Sequence, residues 1–272
     1  MNKSLAVLSV IGIIFFSGCN LIDNLNSLSP PKEIPPMTIS TSVYPLELLT
    51  REISGDTIDI ATILPKNTDP KIYTLSKENL TQLKNSTITL GIGHGLDTWI
   101  SEAQKVDPEM NIIILDQHID IHIDEYTDEE NPYYWLSSFN TEEIIYSIRD
   151  ILIDQDPKQT TFYEENAERL LQKISDQSER WDEQMMILED KQIIVCQNIW
   201  SYLKEEYGFE TYTLEHNPST SSIQYIFDDP FCSTEQSDAI VYTLDPIGQY
   251  SNAQNYIELI DYNVQTLINA HN

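Results

Sequence analysis

The residues best equipped for chemistry lie between His118 and Asp124. His118, Asp120, His122 and Asp124 alternate with Ile119, Ile121 and Ile123. Drawn as a strand, alternate side chains share a face, so two imidazoles and two carboxylates would line one side. Imidazole nitrogen and carboxylate oxygen are plausible ligand types for a metal ion. An edge strand with a polar outer side explains the same alternation, and this plainer reading is preferred. The acidic run from Asp124 to Glu130 reads as a solvated loop. Cys196 and Cys232 belong to no C-x-x-C motif, and their pairing stays open. Single histidines such as His94, His216 and His271 read as surface or packed residues. No G-x-S-x-G, H-E-x-x-H or P-loop pattern is present, so an enzyme is not expected.

The elements that must position such residues alternate in type. Strand-like runs at Thr38–Val43, Thr57–Leu64, Ser86–Ile92 and Asn111–Leu115 are separated by helical patterns after Tyr44, at Lys77–Lys84 and at Asp97–Lys105. Pro65 to Leu75 reads as a turn-rich loop. Alternation of this kind argues for an α/β unit with a parallel sheet. From Pro157 to Asp190 no Gly or Pro interrupts an amphipathic pattern through Phe162, Asn166, Leu170, Ile174, Ser178, Trp181, Met185 and Leu188. At 1.5 Å per residue such a helix spans roughly 40–45 Å. Beyond it a strand at Gln192–Val195, a helix at Asn198–Tyr207, short strands at Thr211–Leu214, Ser222–Phe227 and Ile240–Leu244, and a helix at Asn252–Ala270 indicate a second, small α/β lobe. The expected fold is thus two α/β lobes with parallel-type sheets, joined by one long rigid helix.

Charge narrows the partners. The 272 residues hold 15 Lys+Arg against 44 Asp+Glu, a formal charge of −29. Phosphate binding needs a cationic surface, so nucleic acid is not an expected partner. The N-terminus reads as a leader. A short charged start is followed by an apolar run from Leu5 to Phe16, too short for a permanent span, and then by Ser17-Gly18-Cys19. A cysteine after Ser-Gly resembles a bacterial lipobox, with Phe16 in place of its usual Leu. Residues 1–18 are therefore expected to be a lipoprotein signal peptide and Cys19 the lipidated residue. Residues 19–37, rich in Pro, Asn and Ser, would be a tether. The expected location is extracytoplasmic, anchored to the membrane.

Many short motifs then occur in order. Among them are Thr41-Ser-Val-Tyr-Pro-Leu-Glu-Leu-Leu49, Ile63-Leu-Pro65, Thr68-Asp-Pro70, Gly93-His-Gly-Leu-Asp-Thr-Trp99 and Asn131-Pro-Tyr-Tyr-Trp-Leu136. Trp200-Ser-Tyr-Leu-Lys-Glu-Glu-Tyr-Gly208, Leu244-Asp-Pro-Ile-Gly248 and Asn255 to Val264 follow. Together, from about Thr38 to Ala270, they resemble the solute-binding lipoproteins of zinc and manganese ABC importers. That resemblance implies an N-terminal lobe at 38–157, a spine helix at 158–190 and a C-terminal lobe at 191–272, with the metal held in the cleft between lobes. It also implies a membrane permease as partner, and a monomer is expected.

The family's ligands are three histidines and a carboxylate, and the resemblance places them at Lys71, Tyr133, Gln197 and Asp245. Only Asp245 keeps the family's residue type. Gln197 offers a neutral carbonyl oxygen. Tyr133 would have to ionise from about 10. The Lys71 ammonium donates hydrogen bonds and has no free lone pair. The segment from His216 to Asp238 is also shorter than the family's, which points to a missing helix. The expected function is an importer's solute-binding lipoprotein for zinc or manganese, with altered or weak metal binding. The alternative is a non-transporting interaction lipoprotein whose cleft is locked by a Lys71–Asp245 ion pair. At 4 Å and an effective dielectric of 20 that attraction is about 4 kcal/mol, much of it offset by desolvation. An aromatic cleft for an organic ligand near Tyr133, Tyr134, Trp135 and Trp200 is conceivable, but interlobe packing is preferred for Trp135 and Trp200.

Overall fold

The computed structural model describes residues 36–189, 191–216, 223–232 and 239–271. Cys19, the leader and nearly all of the tether lie outside these residues. None of the described helices is long and apolar enough to cross a membrane.

Short β-branched runs build the first sheet: β1 (Thr38–Thr41), β2 (Asp59–Thr62), β3 (Ile88–Gly91) and β4 (Ile112–Ile114). All pairs are parallel and the order is β2-β1-β3-β4. Parallel neighbours need crossovers, which α1 (Tyr44–Ser54), α2 (Lys77–Asn85) and α3 (Thr98–Val106) provide. Ser76 caps α2 by accepting from the Asn79 N–H at 3.1 Å. β3 is buried throughout, as befits an inner strand covered on both faces.

α4 (Ser138–Gln155) completes this half and is absent from the sequence-based expectations. Its signal is the buried series Asn140, Thr141, Ile144, Ile145, Ile148 and Leu152, at three- and four-residue steps.

The long helix is α5 (Thr160–Met185), 26 residues, led in by a tight turn at Pro157–Gln159 and closed by another at Met186–Leu188. At 1.5 Å per residue it is about 39 Å long. Its buried stripe uses Tyr163, whereas Phe162, expected in the stripe, is 37% exposed. One end is fixed to the first lobe by Asn166 Nδ2, which donates to the Ile53 carbonyl at 2.9 Å. The other end is fixed to the second lobe by Trp181 Nε1, which donates to Asp261 at 3.0 Å.

The second sheet holds β5 (Gln192–Val195), β6 (Glu210–Thr213), β7 (Tyr225–Asp228) and β8 (Ile240–Thr243), all parallel in the order β6-β5-β7-β8. α6 (Ser201–Tyr207) joins β5 to β6 and ends at Gly208, whose φ of 71° is the left-handed cap that glycine favours. α7 (Tyr256–Asn269) closes the chain and packs on α5. Both lobes are therefore α/β with parallel sheets, bridged by one helix.

A strand through His118–Asp124 does not form. His118 has φ 63°, and only Ile123 makes a β-bridge, to Glu130. The left-handed turn at His118 breaks the alternation that would have put all four polar side chains on one face.

Candidate ligand cleft

Loops at the C-terminal ends of the strands face one another across the lobes, the usual ligand position in open parallel sheets. The first lobe contributes the loop after β2. There Asp69 Oδ1 accepts from the Lys71 N–H at 2.9 Å, and the Pro70 carbonyl accepts from Trp99 Nε1 at 3.2 Å. This turn leaves the Lys71 side chain exposed.

The Asn131–Leu136 turn forms the floor. Asn131 is a hub: its Oδ1 accepts from the Tyr133 N–H at 3.1 Å, and its Nδ2 donates across to the Ile199 carbonyl at 3.0 Å. Trp135 Nε1 reaches the Pro246 carbonyl at 2.8 Å. Trp135 is thus buried interlobe packing, and Trp200 is buried as well. Tyr133 is 1% exposed and rests against Trp135, ring centres 5.2 Å apart. Burial, aided by Asp229 and Asp69, lifts its phenol far above the ordinary range. It is a neutral phenol where the resemblance places an imidazole.

The second lobe supplies two walls. After β5, Gln197 Nε2 donates to Asp229 Oδ2 at 2.7 Å. Asp229 is 4% exposed, and its Oδ1 accepts from the Phe231 N–H at 2.9 Å. Burial raises its pKa, and the carboxylates of Asp228 and Asp69 add to the rise against the lowering from Gln197 and Phe231. Cys196 and Cys232 form a disulfide, Cα atoms 5.9 Å apart, which resolves the pairing left open above. The staple joins the end of β5 to the turn after β7, where Asp229 and Cys232 exchange backbone hydrogen bonds.

Asp245 lies after β8 and is fully buried. Its Oδ1 accepts from the Gln249 N–H at 3.2 Å, and its Oδ2 accepts from Tyr250 and Ser251 N–H at 2.7 and 2.6 Å. The loop can turn this tightly because Gly248, at φ 74°, passes so close to Tyr44 that a Cβ would sit 3.0 Å from its ring. Gln249 also ties the lobes, accepting from the Asn67 N–H and donating to the Pro65 carbonyl.

Of the four aligned positions, Lys71 and Gln197 line one interlobe cavity of about 560 Å³, while Tyr133 and Asp245 are buried beneath the surface. The Lys71–Asp245 ion pair of the alternative reading does not form in this structure. Among the described residues Lys71 makes no ion pair within 4.0 Å, and the Asp245 oxygens already hold three backbone donors. The burial of Asp245 behind its own loop separates it from an exposed ammonium.

The second candidate face is dispersed. His118 approaches Glu143 at 3.5 Å, while His122 stacks on Tyr202, with Nε2 2.9 Å from Glu205. Asp124 Oδ1 accepts from the Tyr126 and Thr127 N–H groups and so closes a turn, and Asp120 joins neither. Among the described residues no group of three or more His, Cys, Asp or Glu side chains is placed to hold a metal. Sequence reasoning missed Asp229; its signal is the Asp-Asp-Pro that ends the apolar run Tyr225–Phe227.

Two parallel-sheet lobes, a connecting helix and a cleft at the strand ends define a bilobed solute-binding protein. Residues 39–230 match the model of the zinc-uptake complex component A family, described as periplasmic (ZnuA). The chain belongs to that family, whose members are substrate-binding components of ABC importers that work with membrane permeases and are not enzymes. It is 24% identical to the manganese-binding lipoprotein MntA of Halalkalibacterium halodurans over 97% of this chain and 96% of that protein. Similarity to the high-affinity zinc uptake protein ZnuA of Bacillus subtilis is 20% identity over 68% of this chain and 64% of that one. A ZnuA deletion variant solved with zinc superposes with TM-score 0.77 and 22% identity, covering 87% of this chain and 98% of that one.

Proposed function

We propose that this chain is the extracytoplasmic, lipid-anchored solute-binding component of an ABC importer of the zinc and manganese class, with weakened coordination of the bare ion. One observation carries the second half of that reading. The aligned ligand positions hold an exposed ammonium, a buried neutral phenol, an amide bonded to Asp229 and a carboxylate that accepts three backbone N–H groups. Zinc prefers imidazole or thiolate, and none of these four positions supplies either. Manganese accepts oxygen donors, but of the four positions only Gln197 and Asp245 offer an oxygen without first losing a proton. The disulfide at the cleft agrees with an oxidising compartment outside the cytoplasm. The relatives named as binding manganese or zinc support a metal as cargo, and the proposed anchor is Cys19.

Metal content measured on protein purified without chelators tests this reading. The expected result is well below one zinc or manganese per chain, with no rise in melting temperature when either ion is added. One tightly held ion per chain, released in Asp245→Asn, would overturn it.

A further inference from the structure

We infer that the interlobe cavity takes a cation of small-organic size, either a metal already wrapped in a chelator or a metal-free organic polycation. This rests on the reading above that the chain is a solute-binding component. The cavity of about 560 Å³ falls within the roughly 300–1,000 Å³ typical of small-molecule pockets and far exceeds what one ion fills. Both lobes line it. Lys71, Glu129, Glu130 and Asn131 come from the first, and Gln197 and Glu215 from the second.

The charges select the ligand. Glu130 is engaged by His94 Nδ1 at 2.8 Å, and the carboxylate of Asp124, also in the wall, is spent on its own turn. Glu129 and Glu215 are exposed, and among the described residues neither makes an ion pair within 4.0 Å. Both line the cavity, one from each lobe, and give its wall an unpaired negative charge on either side. The opening is framed by an aromatic pair that also bridges the lobes: Tyr126 stacks on His216 with ring centres 3.9 Å apart. Aromatic faces attract cations of organic size, within about 6 Å of the ring centre.

The buried donors agree. Beneath the cavity the neutral phenol of Tyr133 donates no hydrogen bond among the described residues, and Asp229 is held by Gln197 and Phe231. A bare ion entering here finds few ligands to complete its shell. An ion that brings its own nitrogen or oxygen donors needs only volume and opposite charge, and so does an organic polycation. Lys71 then contributes no ligand; its side chain is exposed and, among the described residues, makes no ion pair within 4.0 Å.

Binding to wild type and to Glu129→Gln/Glu215→Gln, with zinc alone, the zinc–histidine complex and spermidine, distinguishes the sources. Native mass spectrometry reads what is bound, and titration calorimetry reads how tightly. The expected result is saturable one-to-one binding of the complex or of spermidine, weakened about tenfold in the double variant. Its melting temperature should stay close to wild type. Bound mass containing zinc and histidine identifies a chelate; bound spermidine identifies the metal-free class. The inference is overturned if neither probe binds, or if the double variant binds as well as wild type. Those outcomes leave the importer reading standing, whereas tight binding of zinc alone defeats the inference together with the weakened-coordination half of that reading.

Discussion

In the first lobe, α1, α2 and α3 carry the chain between parallel strands. In the second lobe the same strand order is reached with less. α6 joins β5 to β6, but the described residues of the next two connections contain only a single helical turn, Leu214–His216, and the Asp229–Cys232 turn. Where the first lobe has helices after its second and third strands, the described residues of the second lobe have the Cys196–Cys232 disulfide. A crossover helix buries one face of a sheet and fixes the loops that enter and leave it. A disulfide fixes two points and buries little.

That difference is most sharply broken at the spine. Trp181 is fully buried and reaches Asp261 on α7, whereas Asn166 reaches only the Ile53 carbonyl in the better-covered lobe. Trp181→Ala should lower stability by about 3–5 kcal/mol, and Asn166→Ala by about 1–3 kcal/mol. Urea unfolding of both variants measures this. Equal losses would remove the asymmetry between the lobes.

Next in size is the staple. Cys196→Ser/Cys232→Ser should cost about 2–4 kcal/mol, because a loop of separation 36 is no longer closed in the unfolded chain. Hydrogen exchange should show the loss as earlier opening of β5 and β7, with β1 and β3 unchanged. Opening spread evenly over both sheets would show that the staple has no particular hold on the second lobe.

A subtler contrast concerns carboxylates at equivalent strand ends. Asp97 follows β3 and accepts from the Ile92 and Gly93 N–H groups at 2.8 Å each. Asp229 follows β7, has Gln197 as one of its two donors, and feels Asp228 and Asp69 nearby. Burial raises the pKa of both. A raised folded-state value means that the folded chain holds the proton more tightly than the unfolded chain. Stability then falls as pH rises from the ordinary carboxylate range through the raised value, and the penalty persists above it. Asp229→Asn should therefore be more stable than wild type at pH 7, with the gain shrinking toward pH 4. Chemical denaturation at several pH values checks the sign, and a gain that grows on acidification would refute it.

Much of this architecture was legible because it rests on periodicity. The alternation of β-branched strands with amphipathic helices gave both parallel sheets, and the uninterrupted run after Pro157 gave α5. The helix α4 has equally regular burial at Ile144, Ile148 and Leu152, so its absence from the expectations is a missed pattern rather than a missing signal. The site was harder to read. Polar alternation at His118–Asp124 suggests a strand, but a positive φ at His118 diverts the chain, and turn formation by Asp124 uses up a carboxylate. Lys71 and Asp245 could be aligned by motif, yet whether they meet depends on which side of a loop each falls. Three-dimensional burial decides that: the loop after β8 folds over Asp245 and satisfies it from within. Asp229, the residue after β7, gains importance only when Gln197 comes beside it.

The smallest expected effect bears on what holds the lobes together. An ion pair through Lys71 would make the cleft a lock, and breaking a buried pair costs about 3–5 kcal/mol. The contacts observed between the lobes do not involve Lys71, and the charged ones, His122 to Glu205 at 2.9 Å and Lys204 to Glu125 at 3.9 Å, lie elsewhere. Asn131 bonds Ile199, Trp135 bonds Pro246, and the Tyr44 hydroxyl donates to the Ala253 carbonyl at 2.9 Å, so neutral hydrogen bonds bridge the lobes. Lys71 is exposed and adds nothing to them. Lys71→Ala should change stability by no more than about 0.5 kcal/mol, as expected of surface substitutions. The change should be alike at low and high salt, since no close pair exists for ions to screen. Urea unfolding at two salt concentrations decides the point. A large loss that salt diminishes would show the ammonium closing on a carboxylate, and the neutral hydrogen bonds would then be the lesser part of what joins the two lobes.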